Sequence, residues 1–352
     1  MKFYLVGGAV RDNLLGLKVE EKDWVVVGET DKSMIEKGFK SVGKDFPVYL
    51  HPKSKEEYAL ARREKKILPG HKGFSFETQE TVTLEEDLYR RDITINAIAK
   101  DSEGNFIDPF GGQEDIKRKI IKHVSNAFIE DPLRVYRVAR FATKLKVFDF
   151  TIDEGTLGLM TSISESKELE ALSFERIWKE TEKSLGYKNS SEYFKILNEV
   201  NALSTFPELK DNFEESIGRL EKIEKIFDDK ELKWAALNFN NRSLEDLPIP
   251  NKFKNFLKSS QEFKKSLNGK ISAKNILEGL MKINTFRDLN HALKVIDFIF
   301  SLNERIDLKI EWNSLINDLH KLKPEINNLN NGIEIKEKIY KERLLKIEEY
   351  LK

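Results

Sequence analysis

Cysteine is absent from this sequence of 352 residues, and its absence excludes disulfide bridges and thiolate metal sites. An excess of charge of either sign is also missing, because 60 Lys and Arg residues balance 60 Asp and Glu residues. Net charge therefore does not indicate a nucleic-acid partner, and any basic surface has to be local. No apolar run approaches the length of a membrane span, and the run after the N-terminal Met-Lys is too short for a secretory signal. The sequence thus predicts a cytoplasmic protein without a membrane partner.

Strand patterns and helical patterns occupy different parts of the chain. Up to about residue 125, short strand patterns alternate with turns rich in glycine and proline, and strands are predicted at 3–6, 24–27, 58–61, 95–99 and 106–107. After Glu130 the helical periodicity of apolar residues continues almost to the C-terminus, where Tyr340, Leu344, Ile347 and Leu351 form one stripe. A chain of this length is expected to form two to three units, here a small α+β head followed by an elongated helical body.

The segment VEEKDWVVVG places two carboxylates at the start of a predicted strand. Glu21 and Asp23 are two residues apart, so their side chains point to the same face of that strand. Neighbouring anions repel each other and resist burial, and a divalent cation removes both problems. Mg²⁺ in particular accepts one or two carboxylates together with substrate phosphates. The alternative is a solvated strand end in which Lys22 lies between the two acids.

The segment LVGGAVRDNLLG has the pattern of a strand, a glycine turn and a helix start. Glycine allows the backbone to approach a ligand closely, and the N–H groups of a helix N-terminus favour phosphate. Arg11 lies one turn into this helix, where it is placed to clamp the same phosphate. An ordinary tight connection between a strand and a helix is the alternative. With Glu21 and Asp23 on the next strand, the segment predicts a site for a nucleoside triphosphate and its metal.

The segment RRDITINA begins with Arg90, Arg91 and Asp92. Two arginines and an acid suit a phosphate and a ribose hydroxyl. A charged strand start with internal ion pairs is the alternative.

The segment EDPLRVYRVARF opens the first long helical pattern. Asp131 followed by proline predicts a helix with Asp131 as its N-cap. Arg134, Arg137 and Arg140 then recur on roughly one face, an arrangement that is unfavourable unless anions lie opposite. In one interpretation Asp131 caps the helix and pairs locally with Arg134. In the other, Asp131 and Arg134 bind a nucleobase while Arg137 and Arg140 hold phosphate. The later segment SFERIWKE is interpreted as mainly structural.

Six segments in one order, GGAVRD, ExDW, RRDITINA, DPFGG, EDPLRVYRVARF and ERIWKE, resemble the successive motifs of class II tRNA nucleotidyltransferases, the CCA-adding enzymes, in their bacterial form. The resemblance covers roughly residues 1–205. It implies a polymerase-β-like nucleotidyltransferase head at residues 1–125 and a helical neck with a nucleotide-selecting helix at 126–205. Residues 206–352 would be an all-helical body and tail that act as a tRNA-binding scaffold.

The resemblance also implies an activity: addition of C, C and A to the tRNA 3′ end from CTP and ATP, without a nucleic-acid template, in tRNA synthesis and repair. The favoured oligomeric state is a monomer. The matching motifs imply a role for each of five pairs of residues. The implied pairs are Gly8 and Arg11 for the triphosphate, Glu21 and Asp23 for catalytic Mg²⁺, Arg91 and Asp92 for ribose and phosphate, Asp131 and Arg134 for base selection, and Arg137 and Arg140 for support of the bound nucleotide.

Two departures from the family pattern carry consequences. The metal motif of the family is Asp-x-Asp, and this chain has Glu21 at the first position. None of the five His residues is followed by Asp, so the HD phosphohydrolase motif of longer bacterial relatives is absent and a short form is expected. The alternatives are a CC-adding, A-adding or poly(A)-adding polymerase, or a catalytically impaired tRNA-binding descendant. The basic run 117–122 is either a contact for RNA or a solvated helix face.

Overall fold

The computed structural model of this protein describes residues 1–19, 21–42, 48–66, 74–166, 168–240, 247–267, 272–302, 310–322 and 331–352. The chain divides into two compact units, Met1–Pro207 and Glu208–Lys352. The boundaries expected near residues 125 and 205 stay predictions. None of the helices in the described ranges is long and apolar enough to cross a membrane.

In the described residues, all the strands lie in the first unit. They are β1 (Lys2–Val6), β2 (Asp23–Val27), β3 (Lys40–Ser41), β4 (Val48–Leu50), β5 (Glu57–Leu60), β6 (Arg63–Lys66), β7 (Phe74–Glu77), β8 (Ala99–Lys100), β9 (Phe106–Ile107), β10 (Ile120–Ile121) and β11 (Thr151–Ile152). Seven of them form one mixed sheet in the order β3-β4-β5-β2-β1-β8-β9. The pairs β6 with β7 and β10 with β11 are separate.

The centre of the main sheet is buried on both faces because apolar side chains alternate along β2. Val25 packs in one cluster with Val6 of β1, and Val26 packs in another with Leu60 of β5. β2 runs antiparallel to β1 and parallel to β5, so Asp23 at its start lies opposite the end of β1 and the start of β5. This register brings the end of β1, where the glycine turn follows, beside the first carboxylate of the strand.

Helices account for most of the remaining described chain. In the first unit they are α1 (Gly8–Leu14), α2 (Asp31–Glu36), α3 (Leu84–Tyr89), α4 (Gly112–Arg118), α5 (Arg134–Leu145), α6 (Glu154–Glu165), α7 (Phe174–Leu185) and α8 (Ser191–Glu199). From the division onward they are α9 (Pro207–Asp211), α10 (Phe213–Ile226), α11 (Lys230–Leu237), α12 (Asn251–Leu267), α13 (Ala273–Lys282), α14 (Leu289–Ser301), α15 (Trp312–Lys321) and α16 (Gly332–Leu351). The predicted change from α+β to helical structure is confirmed, with the short strand β11 as an exception after residue 126.

The strand predicted at 95–99 is wrong for most of its length. Thr94–Asn96 forms a turn of 3-10 helix, and only Ala99 continues into β8. The turn buries the side chain of Asn96, which donates to Asp92 Oδ1 at 3.2 Å and accepts from Arg11 Nη1. The contact with Arg11 of α1, 85 residues earlier in the chain, explains why the local apolar pattern did not decide the backbone conformation.

The helix predicted from Pro132 begins at Arg134 as α5. Asp131 nevertheless has the extended backbone of a capping residue, and its carboxylate accepts from the N–H of Leu133 at 3.1 Å. Residues 131–133 therefore form a capped turn that leads into α5. The helix packs against α7 and α8, and all of its residues except Arg137 and Lys144 are buried.

Among the described residues of the second unit, the helices from α10 to α16 contribute to a shared apolar core. The predicted stripe on the last helix is confirmed for three positions, since Ile347 is fully buried and Tyr340 and Leu344 pack against the same core. Leu351 is 36% exposed and lies at the end of α16.

Candidate active site

A cleft of about 550 Å³ in the first unit brings together nine of the ten residues predicted to form the site. The nine are Gly8, Glu21, Asp23, Arg91, Asp92, Asp131, Arg134, Arg137 and Arg140. They come from the glycine turn, the start of β2, the segment before the 3-10 turn and the first turns of α5. Arg11 is the exception, because it is buried behind the lining of the cleft.

The two carboxylates lie together in the cleft at the start of β2. Asp23 is the first residue of the strand, and Glu21 precedes it by two residues. Burial between the walls of the cleft raises the pKa of Asp23, the Arg91 charge opposes the shift, and the negative charge of Glu21 adds to it. Lys22 does not separate the acids, because its ammonium donates to Glu56 at 3.2 Å. The conflict between the two anions is the one that a divalent cation relieves.

The donor set fits Mg²⁺. No group of three or more His, Asp or Glu residues able to hold a metal occurs in the part of the chain that the structure describes. Mg²⁺ does not need such a cage, since it is usually bound through one or two carboxylates and completed by waters and substrate phosphates. Glu21 and Asp23 are therefore the residues of this cleft that would hold it.

The glycine turn makes room for an arginine of the cleft. Gly7 has a φ of +71°, and a Cβ atom built there would lie 3.0 Å from Nη1 of Arg91. Arg11, one turn later, donates to Asp12 at 2.8 Å and lies over the ring of Phe141 at 5.3 Å. These contacts hold Arg11 beside the cleft wall, and its predicted contact with phosphate stays a prediction.

Asp87 positions the two arginines of RRDITINA and is a residue that the sequence reasoning missed. Its side chain is fully buried and accepts from Arg90 at 2.7 Å and from Arg91 at 3.2 Å. An acid three and four residues before two arginines at a helix end is a recognised pairing pattern. That spacing was the available signal for its role.

Asp92, the acid of the same segment, is paired with an arginine of α5. Asp92 is buried and accepts from Arg137 Nε at 2.8 Å and from Arg137 Nη2 at 2.7 Å. Its pKa lies well below the usual range: burial opposes the shift, and the Arg137 charge and hydrogen bonds outweigh that effect. Asp92 also accepts from the N–H of Ile93 at 3.0 Å. The ion pair of Asp92 with Arg137 thus connects the 90–97 segment to α5.

A second acid, which pairs with another arginine of α5, comes from α7. Glu180 is buried and accepts from Nε of Arg140, whose guanidinium lies 4.1 Å from the centre of the Phe141 ring. The helix that contains Glu180 belongs to the segment interpreted as mainly structural. Two further side chains from α7, Arg176 and Lys183, line the cleft directly.

The contacts of Asp131 and Arg134 differ from the local pair that one of the two interpretations gave them. Arg134 donates to the backbone carbonyl of Ala127 at 2.8 Å and to that of Arg90. Asp131 lies 3.7 Å from a guanidinium nitrogen of Arg176. Both side chains still line the cleft, so the structure holds them at its wall through different neighbours.

The balance of charge in the cleft favours an anionic ligand. Its lining includes the acids Glu21, Asp23, Asp92 and Asp131, and twice as many basic residues. The basic residues are Arg62, Arg90, Arg91, Arg134, Arg137, Arg140, Arg176 and Lys183. Guanidinium groups bind phosphate through paired hydrogen bonds, so the cleft suits a polyphosphate together with a metal.

Two protein-family models match the first part of the chain. Residues 3–122 match the poly A polymerase head domain, and residues 149–213 match the probable RNA and SrmB-binding site of polymerase A. The first match contains β1 to β10 with both carboxylates, and the second contains α6 to α8.

Curated relatives and solved structures agree with these matches. The chain is 54% identical over 221 residues to a CCA-adding enzyme of Alteromonas mediterranea, which covers 62% of this chain and 56% of the relative. It is 57% identical over 211 residues to a CCA-adding enzyme of Coxiella burnetii, which covers 60% of this chain and 56% of the relative. The match thus spans little more than half the length of these relatives.

A solved apo structure of a CCA-adding enzyme has the same fold, with a TM-score of 0.70 over 98% of this chain and 88% of that one, at 23% identity. The fold, the sequence matches and the arrangement of the cleft agree. Residues 3–122 thus match the poly A polymerase head domain, and this chain is similar to CCA-adding enzymes over 60–62% of its length.

Proposed function

We propose that this protein adds the terminal C, C and A to tRNA from CTP and ATP, without a template. The observation that carries the proposal is the convergence of nine motif residues in one cleft that contains two carboxylates and an excess of arginine. We propose further that the protein acts in the cytoplasm as a monomer, on tRNA that lacks or has lost its CCA end.

Glu21 and Asp23 are proposed to hold Mg²⁺ at the start of β2. When bound, the ion lowers the pKa of the attacking hydroxyl and stabilises the negative charge that develops on the phosphate. The reaction is attack of the tRNA 3′-hydroxyl on the α-phosphate of the nucleotide, with pyrophosphate as the leaving group. No covalent intermediate with the protein is needed.

The other residues of the cleft are proposed to bind and orient the nucleotide. Arg91 accordingly is proposed to bind phosphate of the nucleotide, a role that its contact with Asp87 and its position next to Gly7 support. Asp131 and Arg134 present acceptor and donor groups that suit the edges of C and A. Arg137 and Arg140 already have protein acids as partners, so their proposed role is to support the nucleotide-binding wall.

The second unit is proposed to lack phosphohydrolase activity and to serve as the tRNA-binding scaffold. Neither of its His residues, at 291 and 320, is followed by Asp. Hydrolysis of a phosphodiester by the purified protein would contradict this part of the proposal.

Incorporation on three tRNA transcripts tests the main proposal. The transcripts end before CCA, after the first C and after CC, and each is given labelled CTP, ATP or both with Mg²⁺. Extension that stops at CCA is the expected result. Extension that stops at CC, adds A only after CC, or continues into a long A tail would identify a specialised polymerase instead. Binding of tRNA without extension would favour an impaired descendant, the alternative that Glu21 suggests.

Loss of the Arg134 side chain is expected to weaken the choice between CTP and ATP. Arg134→Ala removes donors from the proposed base-binding wall, and a site that reads bases by hydrogen bonds loses about tenfold or more in discrimination without them. The measurement is the ratio of kcat/KM for the correct and the incorrect nucleotide on each transcript. A ratio is informative because partial damage to the fold lowers both values together. An unchanged ratio would mean that Arg134 does not select the base.

A further inference from the structure

Asn96 lines the catalytic cleft at the end of the 3-10 turn, and the sequence motifs assigned no role to it. The residue is 5% exposed. Its side-chain oxygen accepts from Nη1 of Arg11, and its side-chain nitrogen donates to Oδ1 of Asp92 at 3.2 Å. Its backbone carbonyl accepts from Nη1 of Arg91 at 3.4 Å. This one residue thus contacts three of the residues that were predicted to bind the nucleotide.

The side chain of Asn96 joins a cation to an anion. An amide has an acceptor and a donor at the same end, so it can satisfy an arginine on one side and a carboxylate on the other. A carboxylate at this position would repel Asp92, and an apolar side chain would take a hydrogen-bond partner from both neighbours. The chemistry of the position therefore suits an amide.

Both partners of the amide are fixed by further contacts on their other sides. Arg11 donates to Asp12 through Nε at 2.9 Å and through Nη2 at 2.8 Å, and its third nitrogen faces Asn96. Asp92 uses Oδ2 for Arg137 and Oδ1 for Asn96 and a backbone N–H. Asn96 thus completes a chain of hydrogen bonds that runs from α1 to α5 behind the cleft.

The 3-10 turn that contains Asn96 is held in place from its other side. The hydroxyl of Thr94 donates to Asp115 of α4 at 2.6 Å, and the N–H of Thr94 donates to the carbonyl of Lys122 at 2.8 Å. The helix α4 packs so closely that a Cβ atom built on Gly112 would lie 2.3 Å from the carbonyl oxygen of Thr94. Since these contacts fix the backbone, replacement of the Asn96 side chain is expected to leave the turn in place.

We propose that Asn96 is a positioning residue for the nucleotide, because its amide fixes Arg11 and Asp92 relative to each other. Through its carbonyl it also holds Arg91 beside the glycine turn. The inference rests on the proposed function, in which CTP and ATP bind in this cleft. The three partners were predicted to bind the triphosphate and the ribose, which CTP and ATP have in common. Asn96 therefore acts on the affinity for both nucleotides and leaves the choice of base to other residues.

The test compares two variants of the same 3-10 turn, Asn96→Leu and Thr94→Val. Each replaces a buried polar side chain by an apolar one of similar size, but the hydroxyl of Thr94 bonds α4 and the amide of Asn96 bonds the residues of the cleft. Equilibrium binding of CTP and of ATP is measured with Mg²⁺, and thermal unfolding checks the fold. Asn96→Leu is expected to weaken both nucleotides by about tenfold, and Thr94→Val by less than about twofold.

A loss of stability alone would affect the two variants alike. Equal affinities in the two variants, or unchanged affinity in a folded Asn96→Leu protein, would overturn the proposal. Loss of affinity for only one nucleotide would also overturn it, because that result would make Asn96 a base-selecting residue. Asn96→Ser is measured in parallel in case leucine prevents folding. Its hydroxyl is too short to join both partners, so the same loss for both nucleotides is expected.

A double-mutant cycle tests whether Asn96 acts through Arg11. Arg11→Lys keeps the positive charge but removes the planar group that reaches both Asp12 and Asn96. If the two residues act together, CTP affinity in the double variant falls by less than the product of the two separate factors. A fall equal to that product would show that Asn96 does not act through Arg11.

Failure of this inference is distinguishable from failure of the proposed function. Incorporation by the unmodified protein tests the function, whereas nucleotide binding by the variants tests Asn96. Normal incorporation with unchanged nucleotide affinity in Asn96→Leu would overturn the inference alone. Absent incorporation with selective loss of CTP and ATP binding in Asn96→Leu would overturn the function and support the positioning role. A folded unmodified protein that binds neither nucleotide would overturn both.

Discussion

Replacement of Asp23 by Asn is expected to lower kcat for CTP incorporation by at least about 10³-fold, while the protein remains folded. The amide keeps the shape of the side chain but removes the charge that the proposed cation site needs. Asp23 is the better defined of the two acids, because it is the first residue of β2 and its position is fixed by pairing with β1 and β5. The side chain is exposed to the cleft, so its replacement leaves no cavity in the core.

The measurement is single-turnover incorporation at saturating CTP and tRNA, with thermal unfolding as the check on the fold. Glu21→Asp is the matched variant, because it shortens the side chain to the family pattern and keeps the charge. It is expected to retain or raise the rate. Turnover by the Asp23 variant near that of the unmodified protein would remove the metal assignment. A large loss in Glu21→Asp would show that the site has been rebuilt around the longer acid, since reactive geometry is sensitive to about 1 Å.

The sequence predicted four strands well: β1, β2, β5 and β9 have the expected places within one or two residues. In the central strands β1 and β2 the apolar side chains alternate between two clusters, and a local pattern contains that alternation. The segment 95–99 was different, because the buried Asn96 side chain accepts from Arg11, which lies 85 residues earlier in the chain. Local patterns do not contain such a partner.

Contacts between residues that are distant in the sequence also explain which parts of the site could be predicted and which could not. Motif residues could be named one by one, yet the acids that hold Arg137 and Arg140 lie far along the chain. Arg137 is paired with Asp92, 45 residues earlier, and Arg140 with Glu180, 40 residues later. Two of the three arginines on one face of α5 are thus paired with acids of the protein itself. The segment of Glu180 was interpreted as structural because its charges seemed to be satisfied within its own helix.

A run of basic residues in the sequence does not show whether their charges are paired in the folded protein. The run 117–122 stands out in the sequence, but Lys117 lies 3.7 Å from Glu114 and Lys119 lies 3.2 Å from Asp149. Unpaired charge is a property of the folded surface, so it becomes visible only when the neighbours of each cation are known.

Replacement of Asp92 by Asn is expected to lower the free energy of unfolding of the first unit by about 2–3 kcal/mol at pH 7. The variant leaves the Arg137 guanidinium without the acid that it contacts through two nitrogens. Breaking a fully buried pair costs up to about 5 kcal/mol, and the lower value is expected because 36% of the Arg137 side chain is exposed. Asp149→Asn is the matched control. Its exposed pair with Lys119 is expected to contribute less than about 1 kcal/mol.

The pH dependence of this difference identifies its cause. The pKa of Asp92 is lowered in the folded protein by the charge of Arg137, so the stabilisation is complete above the ordinary carboxyl pKa of about 4. It is lost as the pH falls from there towards the lower pKa of the folded state. The difference in urea midpoint between the unmodified protein and Asp92→Asn is therefore expected to be constant from pH 7 to about 5 and to shrink below about 4. A packing defect caused by the amide would instead give a difference that does not change with pH, and that outcome would show that the ion pair is not what joins the 90–97 segment to α5.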